Sequence, residues 1–273
     1  MKLNILISTY NDRIEQVRNV LLDYRDDVTY IVTHQYTDSV YKYIPEELKR
    51  EDIFVYQIEG KGVTKSRNKA IKLANGEIGL FSDDDVTYTN QYIDTVINYF
   101  KRDDSLDVAL FKIKTPEGYP EYKKYPQTAL KLKTLPFDVG TIEISFRVKS
   151  IKSSNVLFDE RFGAGQEKLI GADESIFISD CLKKEMNVWF FPEYIVEHPF
   201  ESTIKKLPKY DIRRIYVLGA SDARINGYLA IPKAIYATIR QLPQLVKHKK
   251  NAFAYLYTRL KASFYILFNK KTL

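Results

Sequence analysis

Apolar runs of strand length alternate with helix-type patterns through the first 115 residues, and this alternation restricts the fold more than any other feature. Strand-like runs occupy residues 2–9, 28–34, 53–59, 77–83 and 108–115. Amphipathic helix patterns lie between several of them, at residues 12–24 and 63–74. Strands that alternate with helices form a mostly parallel sheet with helices on both faces. The chain is therefore expected to be an α/β protein.

The rest of the chain predicts further elements and a helical end. A polar stretch, residues 116–136, reads as a long loop of the kind that serves as a lid or faces an acceptor. From Lys209 the pattern indicates about three helices, broken near Pro232 and between Pro243 and Asn251. The other expected elements are a strand at 137–147, a helix at 173–186, and a strand at 188–198 with a bend at Pro192.

Composition limits the environment and the possible partners. Cys181 is the single cysteine, which excludes an internal disulfide framework and any cysteine-based metal site. No segment offers the roughly 18 uncharged apolar residues of a spanning helix, and the N-terminus does not resemble a signal peptide. A cytoplasmic protein is expected. Residues 201–273 carry 15 Lys or Arg and 3 Asp or Glu, a net charge of +12, which leaves −5 for residues 1–200.

Three adjacent carboxylates, Asp83, Asp84 and Asp85, end the strand-like run at 77–83. In an open parallel sheet, ligands bind beyond the carboxyl ends of the strands. Clustered carboxylates repel one another unless a cation neutralises them, and Mg²⁺ or Mn²⁺ does so with oxygen ligands. The alternative is a solvated turn or the first turn of a helix, where acids are common.

Polar groups follow two other predicted strands and give the acids a context. Ser8, Thr9, Tyr10 and Asn11 end the first strand and can line a nucleoside pocket. Gly60 and Gly62 precede a helix that carries Lys65, Arg67 and Asn68. Arginine can bind a phosphate with two hydrogen bonds or pair with a carboxylate at a strand end.

These segments together resemble family 2 glycosyltransferases, which have the GT-A (Rossmann-like) fold. The matching features of the N-terminal half are ISTYN (7–11), Arg67-Asn68, the turn Ala74–Glu77 and the Asp-x-Asp motif Asp83–Asp85. Residues 158–199 resemble the acceptor half, with Phe-Gly, an acidic pair that opens a helix, and a strand that ends in His198. The resemblance covers residues 1 to about 200, and its motifs are specific as an ordered set rather than singly.

The resemblance implies transfer of a sugar from a nucleotide-diphosphate donor to an acceptor hydroxyl, with inversion at the anomeric carbon. A divalent metal, Mn²⁺ or Mg²⁺, is expected as cofactor, with Asp85, Asp83 and His198 near it. His198 can equally be a packed structural residue. The expected nucleotide-sugar contacts are Thr9, Tyr10, Asn11, Gln35, Tyr36, Arg67, Asp83 and Asp84. Asp173 is the expected general base, with Glu174 as its competitor for the role.

Departures from the family pattern narrow the expected role. Gln35 and Tyr36 stand where relatives place acidic and small residues around the nucleotide base. These two residues can bind and stack on a base, but they do not indicate which base it is. Relatives often have an acid at the position of Ala172, so the acidic pair here is expected to be Asp173-Glu174, shifted by one residue. The sequence has no Gln-x-x-Arg-Trp motif, since the only tryptophan, Trp189, is not preceded by Arg. Together with the lack of spanning segments, this favours a single-addition enzyme over a processive synthase.

The expected domains are a GT-A domain at 1–200 and a basic helical segment at 201–273. Within the first, residues 1–115 form the nucleotide-sugar half and residues 116–200 the acceptor half. Family acceptors are saccharides or lipid-linked saccharides of surface polysaccharide or glycolipid synthesis. The stretch 251–271, with Arg259, Lys261, Lys270 and Lys271, can lie on an anionic membrane at the inner face or cap the core.

Two other classes of function compete with glycosyl transfer. A metal-dependent phosphohydrolase is expected to need further His or Asp ligands at the strand ends, beside the three acids. The sequence offers only His34, His198 and His248 as additional histidines, which argues against this class. A non-enzymatic binder of nucleic acid or membrane surfaces would use the basic tail, but leaves the three acids unexplained. A nucleic-acid partner is therefore not expected.

Overall fold

The computed structural model describes residues 1–135, 138–199 and 208–269, and it divides into two compact units. The first comprises Met1–Phe158 and Phe177–Phe200, and the second comprises Asp159–Ile176 and Glu201–Leu273. The segment Asp159–Ile176 therefore groups with the C-terminal residues, whereas the sequence suggested a single boundary near residue 200. What each domain does stays a prediction.

The described residues contain eight strands in one sheet. They are β1 (Leu3–Tyr10), β2 (Val28–Tyr36), β3 (Ile53–Glu59), β4 (Ile78–Asp83), β5 (Val108–Lys114), β6 (Leu130–Lys131), β7 (Ile144–Arg147) and β8 (Val188–Glu197). Their order across the sheet is β3-β2-β1-β4-β7-β5-β8-β6. Neighbours β3, β2, β1 and β4 are parallel, as are β5 and β8, whereas β7 and β6 run antiparallel to their neighbours.

The described helices of the first unit include the predicted ones and one short helix, Val148–Ser154, that the sequence does not indicate. They are α1 (Val63–Leu73), α2 (Asn90–Arg102), α3 (Val148–Ser154) and most of α4 (Asp173–Lys183), whose first turn belongs to the second unit. The expected α/β architecture with a mostly parallel sheet is confirmed, and so are the helix after Gly62 and the strand that ends before His198.

Two predicted elements of the first unit were wrong. The helix expected at 12–24 is a 3₁₀ helix, Asn11–Val20, whose buried Ile14, Val17 and Val20 recur every third residue and so match its three residues per turn. The strand expected at 137–147 is only β7, because Thr141–Glu143 form a 3₁₀ turn that buries Glu143. Pro136 and Phe137 lie outside the described residues.

Aromatic packing fixes β4, the strand that leads to the three acids. Phe81 contacts Phe146, Phe158 and Phe177, with ring centroids 4.9 to 5.7 Å apart. Gly79 faces the ring of Phe146 so closely that a Cβ there would lie 2.5 Å from a ring carbon. A side chain at this position would therefore require the Phe146 ring to move, and this close packing holds β4 against its neighbours.

The second unit contains three described helices after Lys209, as the sequence predicts. They are α5 (Ile212–Asn226), α6 (Ala230–Lys247) and α7 (Ala252–Phe268). Helices α5 and α7 cross at Gly219, whose backbone carbonyl accepts a hydrogen bond from Ser263 Oγ at 2.9 Å. Asp159 joins Arg161 and Arg224 within the same unit. Among the described residues, no helix has both the length and the apolarity that crossing a membrane requires.

Candidate functional site

The carboxyl ends of β1, β2 and β4 lie side by side and form the edge that carries the predicted site. In register, Ser8 pairs with Thr33 on one side and with Asp83 on the other. Ser66 of α1 joins these strands, since its hydroxyl lies 2.6 Å from Thr33 Oγ1 and donates to Ser8 Oγ at 3.0 Å. Residues that follow these strands therefore meet at one edge, as the sequence predicts.

Asp84 is the buried member of the acid triplet, with 2% of its surface exposed. Thr9 Oγ1 donates to Asp84 Oδ2 at 2.6 Å. Arg13 Nε donates to both carboxylate oxygens of Asp84, at 3.0 and 3.1 Å, and its terminal nitrogen NH2 also contacts Oδ1. The carboxylate is thus held by one hydroxyl and a two-pronged guanidinium.

Burial and hydrogen bonding act in opposite directions on this pair. Burial raises the pKa of Asp84 above its ordinary value, although hydrogen bonds from Arg13 and Thr9 oppose it. The hydrogen bond to Asp84 raises the pKa of Arg13 further above its already high ordinary value. Arg13 stays charged, whereas the cost of keeping Asp84 ionised is only partly offset.

Asp83 turns to the other side of the edge. Arg67 NH2 lies 3.3 Å from Asp83 Oδ1, and the Arg67 guanidinium lies 5.5 Å from the centre of the Phe158 ring. The side-chain amide of the next residue, Asn68, donates to the Phe158 carbonyl at 3.0 Å and accepts from the Phe158 backbone N–H at 2.8 Å. The Arg-Asn pair therefore anchors Phe158 and sets a cation beside the first acid.

Asp85 and His198 come together although they are 113 residues apart in sequence. His198 Nε2 lies 3.6 Å from Asp85 Oδ1, and Asp85 is partly exposed. Thr87 and Glu197 exchange backbone hydrogen bonds of 2.9 and 3.0 Å, which join the chain after the acids to the end of β8. This bridge, invisible in the sequence, places the imidazole beside the third acid.

The Asp85–His198 pair fits a divalent metal with few protein ligands. Nδ1 of His198 hydrogen-bonds to the carbonyl of Pro199, so a neutral imidazole carries its proton on Nδ1 and presents the Nε2 lone pair toward Asp85. Two lone-pair atoms at this separation suit a shared cation, and Mg²⁺ needs only one or two protein ligands when phosphate and water fill the rest. Among the described residues no cluster of three or more His, Cys, Asp or Glu could hold a metal, and Asp83 faces Arg67 instead.

The residues predicted to contact the nucleoside lie at the carboxyl ends of β1 and β2. Asn11 Oδ1 accepts from the Thr37 backbone at 3.0 Å, so this side chain ties the two strand ends together. The Tyr10 ring is partly exposed, and its hydroxyl lies 3.3 Å from Thr37 Oγ1. Gln35 is buried, and its Nε2 has no hydrogen-bond partner among the described residues. Tyr36 lies under the ammonium of Lys42, 5.7 Å from the ring centre.

The loop expected at 116–136 is anchored where it passes His198. The Tyr122 ring lies edge-on to the imidazole, with centroids 5.6 Å apart. Lys123 Nζ lies 2.8 Å from the buried carboxylate of Glu143, and Tyr125 also donates to it. Burial raises the pKa of Glu143, against the effect of these two donors. Residues 122–125 are therefore part of the site's wall rather than a free lid.

Asp173 and Glu174 open α4 and belong to the second unit. Asp173 is buried and Glu174 is half-buried. Ala172 directly before them has φ +69°, a left-handed conformation that costs an L-residue about 1 kcal/mol. Strained backbone of this kind is held in place only when the surrounding structure requires it.

Sequence reasoning missed Arg13 and Tyr122. Arg13 stands two residues after the ISTYN segment, and three adjacent acids need a cation; these two facts together were the available signal. Only the register of β1 with β4 shows that the cation and the acids meet. No pattern in the sequence singles out Tyr122 among the tyrosines of its loop.

A sequence profile of glycosyl transferase family 2 matches residues 5–160 of the chain. A comparison with curated proteins found no match.

Solved structures of glycosyltransferases share the fold, which is of the GT-A type. Residues 1–349 of S. aureus TarS in complex with UDP-GlcNAc give a TM-score of 0.62 at 15% identity, covering 96% of this chain and 91% of that one. A longer TarS structure gives 0.58 at 17% identity and 96% coverage, but this chain spans only 55% of it. Mannosyltransferase PcManGT from Pyrobaculum calidifontis, with GDP-Man and Mn²⁺, gives 0.54 at 14% identity, covering 99% and 88%.

Proposed function

The chain belongs to glycosyl transferase family 2 and is a glycosyltransferase, and from this premise we propose that it moves one sugar from a nucleotide-diphosphate sugar to an acceptor hydroxyl, with inversion. The observation that carries the proposal is the meeting of Asp85 and His198 at the carboxyl edge of the sheet, which also carries the Asp83–Arg67 pair. This edge offers both a cation site and a guanidinium, which are the groups that a diphosphate requires.

Asp85 and His198 would hold the divalent metal, Mn²⁺ or Mg²⁺. When bound, that metal supplies positive charge to the departing diphosphate. Asp83 keeps its predicted role toward the ribose or sugar, with Arg67 fixing its direction, and the predicted metal contact of Asp83 is the weaker alternative. Asp84 would support the turn of the three acids rather than contact the donor as predicted, because its buried carboxylate is held by Thr9 and Arg13.

The donor is proposed to be a nucleotide sugar whose base lies against Gln35, Tyr36 and Tyr10. TarS was solved with UDP-GlcNAc and PcManGT with GDP-Man and Mn²⁺, which supports this class of donor. The Gln35 side-chain amide brings a buried donor without a partner among the described residues, and a base carbonyl would satisfy it. Exposed tyrosine rings can stack on any base.

The acceptor half is proposed to deprotonate a saccharide hydroxyl with Asp173, and Glu174 remains the alternative base. The strained Ala172 before the acidic pair supports a functional role for this turn. We place the reaction in surface polysaccharide or glycolipid synthesis, with a lipid-linked saccharide as acceptor and with peripheral attachment to an anionic membrane face.

Donor binding tests the proposal directly. Binding of a panel of nucleotide sugars is measured by calorimetry with Mn²⁺, with Mg²⁺ and with chelator. We expect one donor to bind in a metal-dependent manner, and Asp85→Ala and His198→Ala each to weaken this binding about 10–100-fold. Asp94→Ala, an exposed acid on α2 paired with Arg25, is the matched control and should bind like the wild type. Absence of binding for every donor and metal would refute the proposed donor class.

A further inference from the structure

One face of α6 is exposed and apolar along the whole helix. Five of its side chains are 40% to 73% exposed, which is unusual for residues of this type. Two exposed prolines continue the same face. The seven residues are Pro232, Ile235, Tyr236, Ile239, Leu242, Pro243 and Val246.

The spacing of these residues makes one continuous stripe. At about 100° per residue, the seven side chains occupy an arc of roughly 120° without a polar residue inside it. The opposite side of α6 packs into the second unit through Ala230, Ala234, Thr238 and Leu245. We call the seven exposed residues the α6 stripe.

Cations lie along one border of the α6 stripe. Lys233, Arg240 and Lys247 are spaced seven residues apart, and so fall within the next ~60° of the helix surface. Lys233 pairs with Asp222 at 2.6 Å, and no Asp or Glu follows Asp222 in the sequence. The helix therefore combines an apolar face with a positive border and has no negative charge of its own.

We propose that the α6 stripe is the surface that lies on an anionic lipid bilayer, with Lys233, Arg240 and Lys247 at the level of the headgroups. An interfacial helix has this arrangement, in which the apolar face enters the acyl boundary and basic residues bind anionic lipid. The inference rests on the membrane attachment proposed above and names its contact. Two copies of the chain joined through the stripe would instead bring their cations together, which electrostatics disfavours.

The structure distinguishes α6 from the stretch that the sequence favoured. Helix α7 also exposes aromatic residues over an arc of roughly 120°, but Lys261 lies inside this arc, between Phe268 and Tyr265, rather than at its border. The exposed aromatic residues are Phe253, Tyr257, Phe264, Tyr265 and Phe268. To enter a bilayer on this face, α7 would have to bend the Lys261 ammonium away from its own apolar surface. Lys270 and Lys271 lie outside the described residues.

Vesicle binding by the full chain tests the α6 stripe. Flotation is measured with vesicles of phosphatidylcholine alone and with equal parts of phosphatidylglycerol, over a range of salt. We expect the wild type to bind the anionic vesicles and to lose affinity as salt rises. The double variant Ile235→Glu/Ile239→Glu should bind at least about tenfold more weakly. Arg240→Glu/Lys247→Glu should lose a similar factor and most of the salt dependence.

Matched variants and separate readouts keep the outcomes distinct. Ile212→Glu on α5 replaces an isoleucine that is 67% exposed, against 60% for Ile239, and should bind like the wild type. Equal binding by Ile235→Glu/Ile239→Glu and wild type would overturn the α6 assignment, and loss in Phe253→Glu/Tyr257→Glu alone would point to α7. If Ile235→Glu/Ile239→Glu lowered the oligomeric mass but left vesicle binding unchanged, a second copy of the chain would be the partner of the α6 stripe. This result would also overturn the membrane assignment.

Failure of membrane attachment is distinguishable from failure of glycosyl transfer. If the wild type does not bind anionic vesicles, both the proposed membrane attachment and its assignment to the α6 stripe are overturned. Nucleotide-sugar binding, measured on the same preparations without lipid, reports on the transferase proposal and on the folding of every variant.

Discussion

Asp84 in the first unit and Asp159 in the second are both buried carboxylates held by arginine, yet their surroundings differ. Asp84 is 2% exposed and shares one guanidinium, from the partly exposed Arg13, with Asp85. Asp159 is 1% exposed and receives two guanidiniums, since Arg161 and Arg224 both lie within 2.8 Å of Oδ2. Asp159 therefore has two guanidiniums to itself, whereas Asp84 and Asp85 share the single guanidinium of Arg13.

The pKa directions follow from this count of charges. Burial raises the pKa of Asp84, and Arg13 with Thr9 does not fully offset it. Burial acts the same way on Asp159, but hydrogen bonds from Arg161 and Arg224 hold its pKa below the ordinary 3.8. We infer that Asp159 is a permanent structural anchor, whereas the acids around Asp84 retain negative charge that a bound cation can balance.

The largest effect is expected from Asp159→Asn. Removal of this charge leaves two mostly buried guanidiniums facing each other, so the free energy of unfolding should fall by about 3 kcal/mol in urea titrations. Asp211→Asn is the matched control, because Asp211 also pairs with an arginine, but its partner Arg213 is 53% exposed and asparagine caps a helix equally well. Equal stability of the two variants would show that Asp159 is not an anchor.

The pH dependence of stability should separate the two carboxylates by sign. Because the folded-state pKa of Asp159 is depressed, its contribution is present above 3.8 and is lost as pH falls through the lower folded value. Asp84 has a raised pKa, so it opposes folding at neutral pH and this cost disappears as pH falls toward 3.8. The free energy of unfolding, measured in urea from about pH 6 to about pH 3, should fall less than in the wild type for Asp159→Asn. For Asp84→Asn it should fall more than in the wild type.

Arg13→Ala should weaken donor binding by about tenfold, because the turn that carries Asp84 and Asp85 loses its two-pronged anchor. Arg13→Lys keeps the charge but not the planar geometry, so we expect it to restore only part of the affinity. Calorimetry with the donor and metal found for the wild type measures both. Full affinity in Arg13→Ala would mean that the acids hold their positions without it.

The smallest effect is expected for the stability of Asp84→Asn. Asparagine keeps an acceptor for Thr9, and Arg13 can turn to water, so the free energy of unfolding should change by less than about 1 kcal/mol. The same substitution at Asp159 is the direct comparison. A loss as large as that of Asp159→Asn would remove the distinction between anchor and site.

Local periodicity predicted most of the fold, since apolar runs and helix patterns are properties of neighbouring residues. Strands β1 to β5 and α1 appear where the sequence indicates them. The antiparallel β7 was predicted too long, because Glu143 is buried by Lys123 and Tyr125, which a strand pattern does not reveal. The 3₁₀ helix after β1 carries the pattern of an amphipathic α-helix, since apolar spacings of three and of three to four look alike over ten residues.

The candidate site was located from sequence, but its internal pairing was not. The acids, Arg67 and His198 could be named because each follows or precedes a recognisable element. That Arg13 holds Asp84 depends on sheet register across 71 residues, and that His198 meets Asp85 depends on the Thr87–Glu197 bridge. Long-range geometry of this kind leaves no mark on a single sequence. The roles of the individual site residues stay predictions until donor binding is measured.

The position of β7 between β4 and β5 has a consequence during synthesis. Strand β4 pairs with β1 on one side, but its other neighbour is β7, through Ile78–Leu80 opposite Ser145–Arg147. The ribosome must add 65 residues after Leu80 before Ser145 exists, which takes roughly 3 to 13 seconds. Until Ser145–Arg147 exist, β4 can pair only with β1, so one apolar hydrogen-bonding edge of any sheet formed by then stays open to other strands.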